Sequence, residues 1–135
     1  MVISREIDYA ARIVRHLSKT EMANAAQIES AESISRDFVR KILRKLKKAG
    51  YISTERGTKG GYSLTVSPED ITLWDLKYAI EPGPVINKCL NKGFVCPNNC
   101  EAPCSIHIEC QRLEGILEEE MKKRNIFEIL AESEK

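Results

Sequence analysis

The chain has 135 residues, of which 42% are hydrophobic and 30% are charged, and this suits one domain with a modest core. The formal net charge is only +1, yet residues 1–65 hold 13 Lys or Arg against 7 Asp or Glu, whereas residues 66–135 hold 8 against 13. A basic first half joined to an acidic second half predicts a nucleic-acid-binding module followed by a segment with another role.

Export and enzymatic activity are both unexpected from this sequence. Only three apolar residues, Met1, Val2 and Ile3, stand before the charged residues begin, and no apolar run is long enough to span a bilayer. We therefore expect a cytoplasmic protein without membrane association. The chain has two histidines, His16 and His107, and shows no Ser/His/Asp or paired-carboxylate grouping, so we expect no catalytic site.

The first 34 residues predict two helices and a turn. Ser4 is expected to cap a helix from Arg5 to about Lys19, whose apolar residues recur at helical spacing. A short second helix is expected from Asn24 to Ser30. Residues 31–34 supply the turn before a third helix, which completes a helix-turn-helix.

The third predicted helix is amphipathic and strongly basic. It runs from Arg36 to Ala49, with Ser35 at the N-cap and Gly50 at a position suited to a left-handed C-cap. Its apolar residues fall within an arc of about 140°. The opposite side carries Arg36, Arg40, Arg44 and Lys47, flanked by Lys41, Lys45 and Lys48. Such a helix can bury one face and present cations to phosphates or to a major groove.

A short hairpin follows this helix at once. Tyr51–Glu55 and Gly60–Thr65 are the predicted strands, and residues 56–61 form the turn. A solvated surface helix would also carry many cations, but one that runs directly into a basic-tipped hairpin predicts a winged helix. The expected partner is a double-stranded DNA operator. The expected DNA contacts are Arg36, Arg40, Arg44, Arg56, Thr58 and Lys59.

Beyond the hairpin, the sequence predicts two more helices separated by a loop. Ser67–Asp70 resembles a helix entry, and the apolar segment Ile71–Ile80 is expected to be helical until Glu81–Pro84 ends it. Residues 85–103 are too rich in Asn, Gly, Pro and Cys for regular structure. A helix of about 20 residues, roughly 30 Å long, is expected from Cys104 to about Lys123.

That long helix carries an apolar seam that the rest of the chain is too short to cover. A second copy would cover it, so we expect a homodimer. Asn125 should cap a short final turn. The seam residues are Ile106, Cys110, Leu113, Leu117 and Met121. The predicted fold class is mainly α with a small β-hairpin wing: a winged helix-turn-helix domain (1–80), a cysteine-rich loop (81–103), and a long C-terminal dimerisation helix with its final turn (104–135).

Five cysteines lie between positions 89 and 110: Cys89, Cys96, Cys100, Cys104 and Cys110. An odd number in a cytoplasmic chain favours metal or redox chemistry over a disulfide framework. Thiolates are soft ligands that suit an iron–sulfur cluster or zinc. Cys96, Cys100 and Cys104, with His107 or Cys110, have a spacing that would serve a tetrahedral zinc site. A loop that binds no metal or forms a disulfide is the third alternative.

Several segments together resemble the Rrf-two family of winged-helix transcriptional regulators, in particular its IscR-like and NsrR-like members. The segments are Tyr9-Ala10, Ala49-Gly50, the wing Glu55–Leu64, Ile71–Leu76 and the cysteine cluster before a long helix. The most specific is the Arg-Gly-x-x-Gly-Gly wing, where glycines allow a tight turn and close approach to DNA. The resemblance implies a dimeric regulator, and in many members an iron–sulfur cluster sets DNA affinity. Other members lack the cluster.

The resemblance also implies a ligand set for a [2Fe–2S] or [4Fe–4S] cluster. Cys89, Cys96 and Cys104 match the family's three cysteines in order, although the gaps of six and seven residues are longer than in IscR-like members. Asp8 is favoured as fourth ligand because it matches the NsrR-like carboxylate that reaches from the partner subunit. By spacing alone, Asp8 predicts an ion pair with Arg12. The other fourth-ligand candidates are His107, which matches the IscR-like Cys-x-x-His, and Cys100 or Cys110.

The predicted function is therefore a DNA-binding transcriptional regulator whose operator affinity is controlled by an iron–sulfur cluster. The signal would be redox state, nitric oxide or iron status. The alternative is a winged-helix repressor with a structural zinc site or no metal, controlled by a small ligand or a protein partner.

Overall fold

The computed structural model describes residues 2–98 and 104–132, which contain six α-helices and one β-hairpin. The helices are α1 (Arg5–Ser18), α2 (Ala25–Glu32), α3 (Arg36–Lys48), α4 (Leu73–Ile80), α5 (Ser105–Lys122) and α6 (Ile126–Glu132), and the strands are β1 (Ile52–Glu55) and β2 (Gly61–Leu64). Two 3₁₀ turns, Pro68–Asp70 and Lys88–Leu90, lie before α4 and before α5. This order confirms the mainly α fold with a small hairpin wing.

The core is built from the apolar faces of α1, α3 and α4, which pack against one another. Its fully buried side chains include Ile7, Ile13, Val14, Ile28, Val39, Ile42, Leu43, Leu46, Leu76 and Ile80. Most of the α1 and α3 members belong to the stripes predicted from helical spacing. Tyr9 and Phe38 close one edge of the core with ring centroids 5.8 Å apart. The basic side of α3 consequently points away from the core.

The ends of these helices largely follow the sequence signals. Ser4 caps α1 by accepting a hydrogen bond from the Ile7 amide at 3.4 Å. Ser35 occupies the N-cap position of α3 as predicted, but its side chain makes no capping hydrogen bond. Gly50 follows α3 with φ +86°, which confirms the left-handed conformation expected there.

The wing is fixed both within itself and to the helix-turn-helix. Its strands pair antiparallel from Ile52 opposite Leu64 to Glu55 opposite Gly61. Two backbone hydrogen bonds of 3.0 and 2.8 Å join Ala23 to Tyr62. A side chain at position 61 would lie 2.7 Å from the Ala23 carbonyl oxygen, so this junction requires a glycine.

The C-terminal helices return to the winged domain. Ile126 is buried and donates its amide to the Ile71 carbonyl at 2.7 Å, and Asn125 caps α6 by accepting from the Glu128 amide at 2.8 Å. Helix α5 packs against α4, and this packing divides the predicted seam. Cys110 is buried, and Leu117 and Met121 are half-buried, whereas Ile106 and Leu113 remain exposed. Among the described residues, no helix has the length and apolar composition needed to cross a membrane.

Candidate DNA interface and cysteine cluster

Two lysines of α3 face the protein. Lys41 and Lys45 both bind the carboxylate of Glu6 on α1, at 2.7 and 3.0 Å. Hydrogen bonds from Lys41 and Lys45 hold the pKa of Glu6 below its ordinary value of 4.5. Lys45 also donates to the carbonyl oxygen of Ile80, at the end of α4, at 3.0 Å. These lysines therefore join α3 to α1 and α4.

Two further cations of α3 bind neighbouring elements of the DNA-binding module. Arg36 donates Nε to Glu29 of α2 at 2.6 Å, and Lys47 donates to the Thr54 hydroxyl of β1 at 3.1 Å. The bond to Glu29 uses Nε and leaves the two terminal nitrogens of Arg36 without a partner among the described residues, and the Arg36 side chain is 45% exposed. Arg36 can thus brace α2 against α3 and still present donors to DNA.

The remaining cations of α3 face solvent. Arg40, Arg44 and Lys48 follow one another at four-residue spacing, and in the described part of the chain none forms a hydrogen bond or an ion pair. Arg56 and Lys59 are exposed at the tip of the hairpin, as is Thr58 between them. We call Arg40, Arg44, Lys48, Arg56 and Lys59 the cationic surface. Its helix and wing have the geometry with which winged helices enter a groove and touch the flanking backbone.

Three thiols and one imidazole come together where the loop meets the start of α5. His107 Nδ1 lies 3.3 Å from the Cys89 sulfur, and Asn87 donates its side-chain amide to the Cys110 sulfur at 3.9 Å. Partial burial raises the pKa of the Cys89 thiol, and Cys110 and Cys104 raise it further because neighbouring thiolates would repel. A bound metal centre would relieve that repulsion, so this donor set fits a thiolate-ligated metal or cluster.

Cys96 is exposed and lies across a cavity from these groups. Cys89, Cys96, Cys104 and His107 all line this cavity, whose volume is about 470 Å³, and Phe94 adds an apolar wall. Within residues 2–98 and 104–132, no three His, Cys, Asp or Glu side chains already stand close enough to hold one metal ion. The three predicted cysteine ligands are therefore neighbours around one space without forming a closed shell. Cys100 lies outside the described residues.

Asp8 is placed away from these cysteines within the chain. It binds Arg12 at 3.0 Å, as the four-residue spacing predicts, and it does not line the cysteine cavity. Both side chains are about half exposed, and an ion pair of this kind contributes at most about 1 kcal/mol. Asp8 is therefore accessible for another partner, but that partner would have to come from a second chain.

Three charged residues, Glu6, Lys77 and Glu114, make contacts in the region between the cationic surface and the cysteine cluster. None of them is among the site residues predicted from the sequence. Glu6 and Glu114 resemble ordinary helix-surface carboxylates in the sequence, so no local signal marks them. Lys77 had a signal, since it interrupts an apolar helix between Leu76 and Tyr78. Among the described residues it is the one buried charged side chain, with 3% of its surface exposed.

A protein-family model matches nearly the whole chain. The model of the Rrf2 (Rrf-two) family, described as "Iron-dependent Transcriptional regulator", matches residues 3–132. The chain belongs to the Rrf2 family. The resemblance carried by the wing and the cysteine cluster is thereby confirmed over nearly the whole chain.

One curated relative of this Rrf2-family protein supports the same assignment, and two solved structures share its fold. The HTH-type transcriptional regulator NsrR of Bacillus subtilis is 31% identical over 94 residues, which cover 67% of this chain and 64% of that protein. The solved structure of T. potens IscR has a TM-score of 0.74 at 18% identity and covers 97% of this chain and 87% of that chain. CymR, the global cysteine regulator of B. subtilis, has a TM-score of 0.70 at 22% identity, with coverage of 96% and 95%.

These matches establish the coarse function. The two solved structures share the winged-helix fold. The matching family and its relative NsrR are transcriptional regulators. The Rrf2-family protein is therefore a DNA-binding transcriptional regulator and not an enzyme.

Proposed function

We propose that this Rrf2-family regulator binds its operator as a homodimer and that an iron–sulfur cluster, held by Cys89, Cys96 and Cys104, controls its affinity. The observation that carries the proposal is the placement of these three cysteines around one cavity beside His107. The family description "Iron-dependent" supports iron as the metal. The signal would be redox state, nitric oxide or iron status, and the site of action is the operator DNA in the cytoplasm.

The cationic surface supports the proposed mode of DNA binding. Arg40 and Arg44 of α3 have no partner among the described residues, so they are available to contact bases and phosphates along a major groove. Arg36 would add contacts through its terminal nitrogens, and Arg56 and Lys59 would contact phosphates from the wing. In a two-fold dimer, each α3 would meet a half-site about one helical turn, roughly 34 Å, from the other.

The exposed face of α5 supports the proposed dimer. Ile106, Leu113 and Ile116 are 67%, 39% and 45% exposed. They lie within an arc of about 80° on the helix, because successive residues differ by about 100°. Ile106 and Leu113 are the part of the predicted seam that packing against α4 leaves uncovered, and Ile116, which was not predicted, extends this face. A second copy of α5 would bury it and would bring two winged domains into one assembly.

The two main candidates for the fourth ligand, His107 and Asp8, would come from different subunits. His107 lies beside Cys89 in the same chain, which supports His107 as the fourth ligand. Asp8 can serve only if it reaches the cluster of the partner subunit. When bound, an iron–sulfur cluster supplies redox-active iron, and a nitrogen or oxygen fourth ligand makes one iron more easily exchanged than an all-thiolate site. Cys89 precedes the start of α5 by more than a dozen residues and Cys104 lies directly before it, so joint ligation would fix these two positions relative to each other.

A structural zinc site is the second candidate for this cysteine cluster. It is favoured by the grouping of Cys89, Cys104, Cys110 and His107, which is a donor set that zinc also accepts. The regulator would then respond to a small ligand or a protein partner. Absorption spectra with iron, sulfide and zinc analysis of protein purified without air distinguish the two. We expect visible absorption with iron and sulfide; colourless protein with stoichiometric zinc would replace the cluster by the zinc site.

The control of DNA binding is tested by comparing the same protein with and without its cluster. An operator is first selected by the purified regulator from a pool of random duplexes. Titrations of that operator at fixed salt should then differ by at least about tenfold, or roughly 1.4 kcal/mol. His107→Ala and Asp8→Ala, analysed for iron and for spectrum, identify the fourth ligand. Equal affinities of the two forms would restrict the cysteines to a role in stability.

A further inference from the structure

Lys77 is the starting point because a buried ammonium group requires compensating contacts. It donates a hydrogen bond to the carbonyl oxygen of Gly83, and its nitrogen lies 5.3 Å from the centre of the Trp74 ring. Burial lowers the pKa of Lys77, and the negative charges of Glu114 and Glu81 oppose this effect because they favour the protonated ammonium group. The contact with Gly83 closes the chain back onto α4 where the cysteine-rich loop begins.

The same stretch of loop is held from its other side by α5. Glu114 accepts hydrogen bonds from the backbone amides of Val85, at 2.9 and 3.1 Å, and of Ile86, at 2.8 Å. Residues 83–86 are thus held between a cation of α4 and a carboxylate of α5. We call Lys77 and Glu114, together with residues 83–86, the clamp. Hydrogen bonds between a charged side chain and the backbone are stronger than neutral ones, so the clamp holds this stretch firmly.

The clamp lies three residues before the first cysteine, and the contacts continue to it. The Asn87 side-chain oxygen accepts from the Cys89 amide at 3.2 Å, while its side-chain nitrogen donates to the Cys110 sulfur at 3.9 Å. At the opposite end, Lys45 of α3 binds the carbonyl oxygen of Ile80, one helical turn beyond Lys77. A series of contacts therefore leads from α3 through α4 and the clamp to the cysteine cluster.

We propose that Lys77 and Glu114 are positioning residues, which hold Cys89 against the start of α5 and couple its placement to the position of α3. Through this path, a change at the cluster would alter how α3 is presented to DNA. The proposal rests on the proposed function in taking Cys89 as a ligand. The coupling itself is a property of the protein without metal or DNA, so it can be measured separately from the cluster.

The test uses the full chain, reduced and free of cluster, with iodoacetamide as the probe. Alkylation rates of individual cysteines are followed by mass spectrometry. Lys77→Met and Glu114→Gln should each raise the rate at Cys89 by about threefold or more, because local opening exposes that thiol. The rate at Cys96, which is already exposed, should stay unchanged. Glu119→Gln is the matched control, because it removes an exposed carboxylate from the same helix.

Coupling to α3 is tested by a double-mutant cycle. Lys45→Met should raise the Cys89 rate in the native background and should add nothing in the Lys77→Met background, because both act on one path. Lys41→Met removes a bond to the same Glu6 but none to Ile80, so it should leave Cys89 unchanged. Circular dichroism checks the fold, and Glu114→Gln is the milder variant if Lys77→Met unfolds. Equal effects of Lys45→Met and Lys41→Met, additive effects of Lys45→Met and Lys77→Met, or equal acceleration at Cys89 and Cys96, would overturn the proposal.

Discussion

Neighbouring residues of α3 differ in role because a helix turns by about 100° per residue. Arg40 faces solvent and forms no bond within the described residues, whereas Lys41 faces α1 and binds Glu6. Both are exposed cations in a basic stretch, so composition alone would treat them alike. The structure separates a cation that is available to contact DNA from a cation that holds two helices together.

We predict that Arg40→Ala weakens operator binding by about 1–3 kcal/mol, the usual cost of a lost base contact. Lys41→Ala should change the affinity by less than about 0.5 kcal/mol, because its ion pair is internal. Fluorescence anisotropy at fixed salt measures both. Lys59→Ala tests the wing separately. It should weaken binding to all duplexes alike and reduce the slope of log affinity against log salt concentration by about one unit. A larger effect of Lys41→Ala than of Arg40→Ala would show that the two faces of α3 are assigned wrongly.

Between elements, the junction of α1 and α3 combines an apolar core with one partly buried ion-pair group. The Glu6 carboxylate binds both Lys41 and Lys45, which are one turn apart on α3. A single carboxylate therefore fixes the rotation of α3 relative to α1. Because Lys45 also binds the end of α4, the same group contributes to the geometry of all three core helices.

The stabilisation from Glu6 should depend on pH. Lys41 and Lys45 lower the folded-state pKa of Glu6 below the 4.5 of the unfolded chain. The stabilisation is therefore fully present above pH 4.5 and is lost as the pH falls through the folded-state pKa. Glu6→Gln should lower the free energy of unfolding by about 0.5–1 kcal/mol at neutral pH, and the difference from the native chain should vanish in acid. Urea unfolding of both proteins across this range measures the effect. An equal loss at every pH would mean that the carboxylate charge is not its cause.

At the scale of the whole molecule, the exposed face of α5 should determine the oligomeric state. We predict that Leu113→Glu gives monomers in sedimentation velocity, because it places a charge in the centre of the Ile106, Leu113 and Ile116 face. Ile108→Glu is the matched control, since Ile108 is also exposed but lies about 140° around the helix from Leu113. Monomers should bind an operator with two half-sites much more weakly than the dimer does. A dimer that survives Leu113→Glu would place the interface elsewhere.

The order of the elements and the character of their faces could be predicted from local sequence patterns. The basic stripe of α3, the hairpin after it and the left-handed Gly50 all follow from rules that act within a few residues: the 3.6-residue period, strand alternation and the freedom of glycine. The cysteine cluster was recognisable for the same reason, because its residues are close together in the chain. The confirmed resemblance to the Rrf2 family rests on these local patterns.

Which of these residues are free to contact a partner depends on contacts between distant parts of the chain. Lys41 binds a carboxylate 35 residues away, and Glu114 binds an amide 29 residues away, so no local pattern reveals either contact. For the same reason, the apolar positions of α5 appeared as one seam in the sequence, and only packing against α4 separates buried Cys110 from exposed Leu113. Side-chain periodicity tells which residues share a face of a helix, whereas the neighbour of that face depends on how the whole chain is packed.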